Sequence, residues 1–179
     1  MLTHRAFAPD ADIPRLLVLL AEVEAADHVG DETNEEELHR MITWPGHDPA
    51  RDHVVVEQPD NPDRLIGHAL LWKLAGDTDG DIVVAVHPAW RRRGIGSRRL
   101  MWAIARAGEV GAGNVCAYAD ERHPTGGAFL HAHGFVPVAA YTMLEAPARL
   151  DWPSPAWPDG FSARTCAELD EAERFPVML

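Results

Sequence analysis

The chain has 179 residues, enough for one well-buried domain and too few for two. Its 46% hydrophobic and 25% charged residues are ordinary for a globular protein, and no apolar run reaches the roughly 20 residues of a membrane span. A net charge of -12 argues against nucleic acid as a partner and favours cationic ones, while the lone pair Cys116 and Cys166 makes neither a disulfide framework nor a zinc spacing. Two free thiols point to a reducing compartment, so a cytoplasmic location is expected.

In chain order, Leu2–Ala8 alternates as a strand does, and Pro9-Asp10 ends it. Asp12 is placed to cap a helix with Ile13 and Pro14 in its first turn. Ile13, Leu16, Leu17, Leu20 and Val23 then follow at helical spacing. Thr33 and Glu36 have the capping-box pattern for a second short helix carrying Leu38, Met41 and Ile42, which Trp44-Pro45-Gly46 breaks. His53–Gln58, Arg64–Ala75 and Asp81–Val86, separated by turn-forming stretches, predict an antiparallel meander. Gly94–Gly108 predicts a helix, Asn114–Tyr118 a short strand and Thr125–His133 a helix stopped by Gly134. Val136–Ala140 and Thr142–Glu145 are expected to close the sheet. The fold class is α/β (α+β): a single mixed, mostly antiparallel sheet flanked by helices.

Three parts are expected: a domain over residues 1–146, a stiff Pro/Trp-rich linker over 147–158, and a tail over 159–179. In the tail, Phe161–Ala167 reads as a strand and Glu168–Phe175 as the start of a helix. A weak internal echo pairs Arg5 with Arg164, Ala8 with Ala167 and Arg15 with Arg174.

The stretch that carries chemistry is Val84-Ala85-Val86-His87-Pro88-Ala89-Trp90-Arg91-Arg92-Arg93-Gly94-Ile95-Gly96-Ser97. A strand ends at Val86, His87-Pro88 stops it, and a glycine-rich turn opens into a helix. Such a turn presents successive backbone N–H groups with the positive end of the helix behind them. Gly94 and Gly96 carry no side chain to hold a phosphate away, and the arginines add pairing charge. These parts suit a diphosphate. There is no G-x-x-x-x-G-K-[ST] run, and Arg99 stands where a dinucleotide fingerprint needs its third glycine.

Arg91-x-x-Gly94-x-Gly96 after this strand resembles motif A of the Gcn5-related N-acetyltransferases (GNAT), usually (Q/R)-x-x-G-x-(G/A). Ala128–Phe135, ending Gly134-Phe135, is similar to the family's motif B, and Arg5–Asp10 to its first strand and turn. The resemblance implies the GNAT acyl-CoA N-acyltransferase fold, with acetyl-CoA as co-substrate and no metal. Val84, Ala85 and Val86 would run beside the pantetheine arm. Arg91, Arg92, Arg93, Gly94, Ile95, Gly96 and Ser97 would line the diphosphate, with His123 and Phe129 further cofactor contacts and Arg98 and Arg99 candidates for the 3'-phosphate. Where many members carry an acidic tyrosine this chain has Leu130, and His123 replaces a common asparagine. His131 or Tyr141 is then the candidate acid, and Asp81 the candidate base. The implied reaction is direct acyl transfer to a primary amine of a small molecule or peptide, with an acidic rim at Asp31-Glu32 and Glu35–Glu37 favouring a cationic acceptor. A homodimer is left open. Proteins with two fused domains of this family exist, and the tail from Pro158 resembles the start of a second one, which gives the alternative of a non-catalytic acyl-CoA-binding half.

Overall fold

Among the described residues five strands pair in chain order, antiparallel from β1 to β4 and parallel between β4 and β5. The computed structural model describes residues 2–30, 33–73, 76–142, 144–147, 153 and 155–169. The elements are β1 (Thr3–Ala6), α1 (Pro9–Asp27), α2 (Glu35–Ile42), α3 (Pro49–Asp52), β2 (His53–Gln58), β3 (Asn61–Trp72), β4 (Asp79–Val86), α4 (Ile95–Glu109), β5 (Asn114–Cys116) and α5 (Pro124–Ala132). Single 3-10 turns lie at Pro88–Trp90 and Cys166–Glu168.

Alternation along β2 sends Val55 to one face and Val56 to the other. On the first face Val55 packs with Phe7, Ile13, Leu16, Leu19, Leu38 and Ile42, which seats α1 and α2. On the second, Val56 and Ile66 receive Ile95 at the start of α4, and Leu71 and Ile82 receive Leu100, Ala103 and Ala107. Each fully buried Val, Leu, Ile or Phe among these contributes about 1.5–3 kcal/mol. Gly67 makes the first seating possible: a Cβ there would lie 3.0 Å from Ile95 Cγ2 and 3.2 Å from Val56 Cγ2. The absent side chain thus lets the start of α4 lie close to the sheet.

Several expectations need correction. The first helix begins at Pro9 with Ala8 as its N-cap, not at Asp12. Asp12 is fully buried, and its Oδ2 accepts from the Ala8 N–H at 2.8 Å. It also takes Arg5 in a fork (2.5 and 2.7 Å) and Arg15 at 2.8 Å. Burial alone would raise the Asp12 pKa; the bonds from Arg5 and Ala8 and the charges of Arg5 and Arg15 outweigh it and hold the carboxyl low. The cap of α2 is Asn34, accepting from the Glu37 N–H at 2.9 Å, one residue after the expected Thr33. The short α3, capped by Asp48, was not expected. Val136–Ala140 and the described part of 142–145 form no strand, and Val136, Val138 and Leu144 are more than 70% exposed. The β-branched Val136 and Val138 favour an extended chain, but strand propensity needs a partner and a covered face, and neither is found among the described residues.

A ladder of buried imidazoles crosses the α1 side of β2 and β3. His47 Nε2 lies 2.7 Å from His53 Nε2, and His53 Nδ1 lies 3.0 Å from His68 Nε2. Phe7 stacks on His53 at 4.9 Å, Trp72 covers His47 at 4.9 Å, and the Asp52 carboxylate sits 3.6 Å from His47 Nδ1. Burial pushes His53 down to about 2 and His68 down to about 4, with His68 and His47 adding to the shift at His53. All three imidazoles are therefore neutral near pH 7.

The chain divides into two compact units, Met1–Val138 and Ala139–Leu179. In the second, Phe161 N–H closes a turn on Pro158 O at 3.0 Å, and Glu168 accepts from the Thr165 N–H at 2.6 Å ahead of the 3-10 turn. Residues 161–165 are not a strand. The expected helix beyond Leu169 lies outside the described residues.

Candidate functional site

The site begins where β4 loses a neighbour. β5 pairs with β4 only at Asp79↔Asn114, Gly80↔Val115 and Asp81↔Cys116. No described strand continues that side of β4 beyond Asp81, whereas β3 stays paired to Val86. Backbone groups alternate sides along a strand. His87 N–H bonds Ile66 O on β3 at 3.0 Å, so the N–H and C=O groups of Val84 and Val86 point to the open side, while Ile82 still faces the end of β5. Ala85 points its backbone at β3 and its buried side chain to the α1 face. Of the three expected edge residues, two present their main chain there and Ala85 does not.

The open edge leads into the turn. His87 caps the Pro88–Trp90 turn by accepting the Ala89 N–H at its Nδ1 (3.1 Å). A neutral imidazole holds one ring proton, so in that form His87 carries it on Nε2, 3.2 Å from Glu22 Oε2. Arg92 (φ 62°) and Gly94 (φ 78°) adopt left-handed conformations, which turn successive amides toward one side. Gly94 is the N-cap of α4, and the first helical bond runs from Arg98 N–H to Gly94 O at 3.2 Å. The amides of Ile95, Gly96 and Ser97 are left without an intrahelical acceptor. They lie at the positive end of a 15-residue helix.

The arginines differ in their engagements. Arg91 forks onto Asp27 with both contacts at 2.7 Å and sends its Nε–H to Val86 O at 3.1 Å. That fork holds the Asp27 carboxyl below its usual range. Arg93 is exposed and lies over the Trp90 ring at 4.8 Å. Arg92 is exposed, and no hydrogen bond or ion pair from it is found among the described residues. Arg99 faces inward, 6% exposed.

The remaining candidates separate. The Phe129 ring lies 3.5 Å from where a Gly96 Cβ would be, so α5 packs on the turn. His123 is the half-buried N-cap of α5. Asp81 is half-buried at the last β4–β5 pair and opposite Trp72, so both point to the α1 side of the sheet. Trp44 meets Trp72 edge-on at 6.2 Å. Val83, two residues along in a central strand, is 45% exposed. This face is therefore open beside the uncovered edge. His131 is exposed on α5, and Tyr141 is exposed in the second unit. Leu130 packs against the buried cluster of Leu71, Ile82, Leu100, Ala103 and Ala107. Asp27, Glu22 and Gly67 had no sequence signal, since each acts on a residue far along the chain.

A family model described as Acetyltransferase (GNAT) family matches residues 17–135. Among curated proteins no match is found. A GCN5-related N-acetyltransferase from Sphaerobacter thermophilus superposes with a TM-score of 0.74 at 26% identity, covering 99% of this chain and 57% of its own. The present chain thus spans little more than half of that protein's length. Rv2747 from Mycobacterium tuberculosis, solved with CoA, aligns at 22% identity and TM-score 0.59, over 79% of this chain and 76% of its own. An aminoglycoside acetyltransferase from an uncultured soil metagenomic sample, solved with sisomicin, gives 17% and 0.55, over 80% and 97%. The last two likenesses concern the fold alone.

Proposed function

The chain belongs to the acetyltransferase (GNAT) family, and from that premise we propose that it transfers an acetyl group from acetyl-CoA to a primary amine of a small molecule or peptide. The observation that carries this reading is the open edge of β4 running into unpaired amides. An extended pantetheine arm fits beside Val84 and Val86 as an added strand, and the diphosphate fits the N–H groups of Ile95, Gly96 and Ser97.

In the transfer, the amine lone pair attacks the thioester carbonyl carbon. The C–N bond forms, the C–S bond breaks, and CoA leaves as a thiolate that takes up a proton. An edge N–H at Val84 is the donor for the carbonyl oxygen as it gains charge. The amine proton goes to a base, for which Asp81 is favoured because it lies on the open face beside Val83. Trp72 beside Asp81 suits a cationic acceptor through its ring face. The free thiol of Cys116 favours a cytoplasmic protein.

A second reading, a CoA-binding half without turnover in a tandem protein, is favoured by Leu130. It puts a hydrocarbon where many relatives offer a proton donor, and the 57% coverage of the Sphaerobacter protein is in keeping with it. Calorimetry with CoA and thiol release from acetyl-CoA over a panel of amines separate the two. Binding with amine-dependent thiol release supports the enzyme. Binding without release for any amine favours the second reading, and no binding overturns both.

A further inference from the structure

We propose that the Arg91 guanidinium is a strut inside the cofactor turn, not a ligand of the diphosphate, and that Asp27 is the residue that positions it. The inference rests on the reading that this turn receives acyl-CoA, and it assigns the work within that site. A guanidinium has five N–H bonds. Arg91 spends one on Val86 O at 3.1 Å and one from each terminal nitrogen on the two oxygens of Asp27 at 2.7 Å. Its charge is matched by a partly buried carboxylate, so turning to a phosphate would strand Asp27.

The strut does two things. It covers the carbonyl of Val86, which points to the open side just before the turn and would otherwise repel a passing anion. It also ties the turn to the last residue of α1, where the chain enters the left-handed His28 (φ 52°) and leaves for α2. Arg122 holds the same segment through Val29 O at 2.9 Å. The cofactor turn and the end of α1 are thus joined by one fork. The charge available to a diphosphate is then that of Arg92, with Arg93 on Trp90 beside it.

The test is CoA affinity by calorimetry at low and high salt, for wild type, Asp27→Asn, Arg91→Gln, Arg91→Lys, the Asp27→Asn/Arg91→Gln double variant and Arg92→Gln. A strut predicts that Asp27→Asn and Arg91→Gln each weaken CoA about tenfold. The double variant should be no worse than either, because both break one unit. Arg91→Lys, which keeps the charge and loses the fork, should fail like Arg91→Gln. The salt dependence should stay at the wild-type slope in all of these and flatten only in Arg92→Gln. A phosphate ligand predicts the reverse: Asp27→Asn binds CoA as well or better, Arg91→Lys retains most affinity, and Arg91→Gln flattens the salt slope. That pattern overturns the proposal while leaving the site intact. A wild-type protein with no affinity for CoA overturns the reading beneath it as well.

Discussion

Two glycines two residues apart in the turn have different reasons to be glycine. Gly94 sits at φ +78° with nothing within 4 Å of a would-be Cβ, so space is free and backbone strain is the whole cost. Gly96 lies within a helix, and an added Cβ would touch the Phe129 ring at 3.5 Å and Val86 Cγ2 at 3.8 Å, both ordinary contacts. Gly94→Ala should therefore destabilise by about 1–2 kcal/mol, the cost of a left-handed L-residue, and weaken CoA as the amides turn away. Gly96→Ala should leave stability within about 1 kcal/mol of wild type and CoA affinity within about twofold. Urea unfolding and calorimetry on the two variants check this. Equal losses at both positions would mean that the turn is tuned by crowding and not by backbone conformation.

At the scale of elements, the β2–β3 pair carries a pH dependence. His53 and His68 are buried and neutral, with folded pKa values near 2 and 4 against 6.5 unfolded. Protons bind the unfolded chain first. The stability these groups confer is thus full above the unfolded value and is lost as pH falls from 6.5 toward the folded values. With two groups each losing up to about 1.4 kcal/mol per pH unit, the protein should be about 4 kcal/mol less stable at pH 5 than at pH 7.5. His47, lowered by burial with Asp52 and Asp48 opposing, moves the same way. The low carboxyls of Asp12 and Asp27 respond only further into acid. Urea midpoints at pH 7.5, 6 and 5 measure this, and a flat profile would mean that the ladder is solvated. None of it was legible in the sequence, where His47, His53 and His68 are isolated residues with no common spacing. The meander, α4 and the turn were legible because Pro, Asn, Asp and Gly punctuate them locally. The Arg91–Asp27 fork joins residues 64 apart, and no local pattern announces such a pair.

At the scale of the whole molecule, Val136–Ala140 and Thr142–Glu145 were expected to close the sheet, and Val136, Val138 and Thr142 have the β-branched character of strand residues. Without a paired neighbour that propensity does not make a ladder. Every described piece of the cofactor site precedes that region in the chain, since β4, the turn, α4 and α5 all end before Val136. The same holds for α1, which supplies Asp27 and Glu22. Affinity for CoA should therefore be a property of the first unit. A chain ending at Val138 should bind CoA within about twofold of the 179-residue chain, as read by calorimetry. Turnover is a separate matter, because Tyr141 belongs to the second unit. If that tyrosine is the proton donor to the leaving thiolate, Tyr141→Phe lowers kcat at least tenfold at unchanged CoA affinity. If CoA binding itself collapses on truncation, affinity is not a property of the first unit alone and residues after Val138 are needed for it.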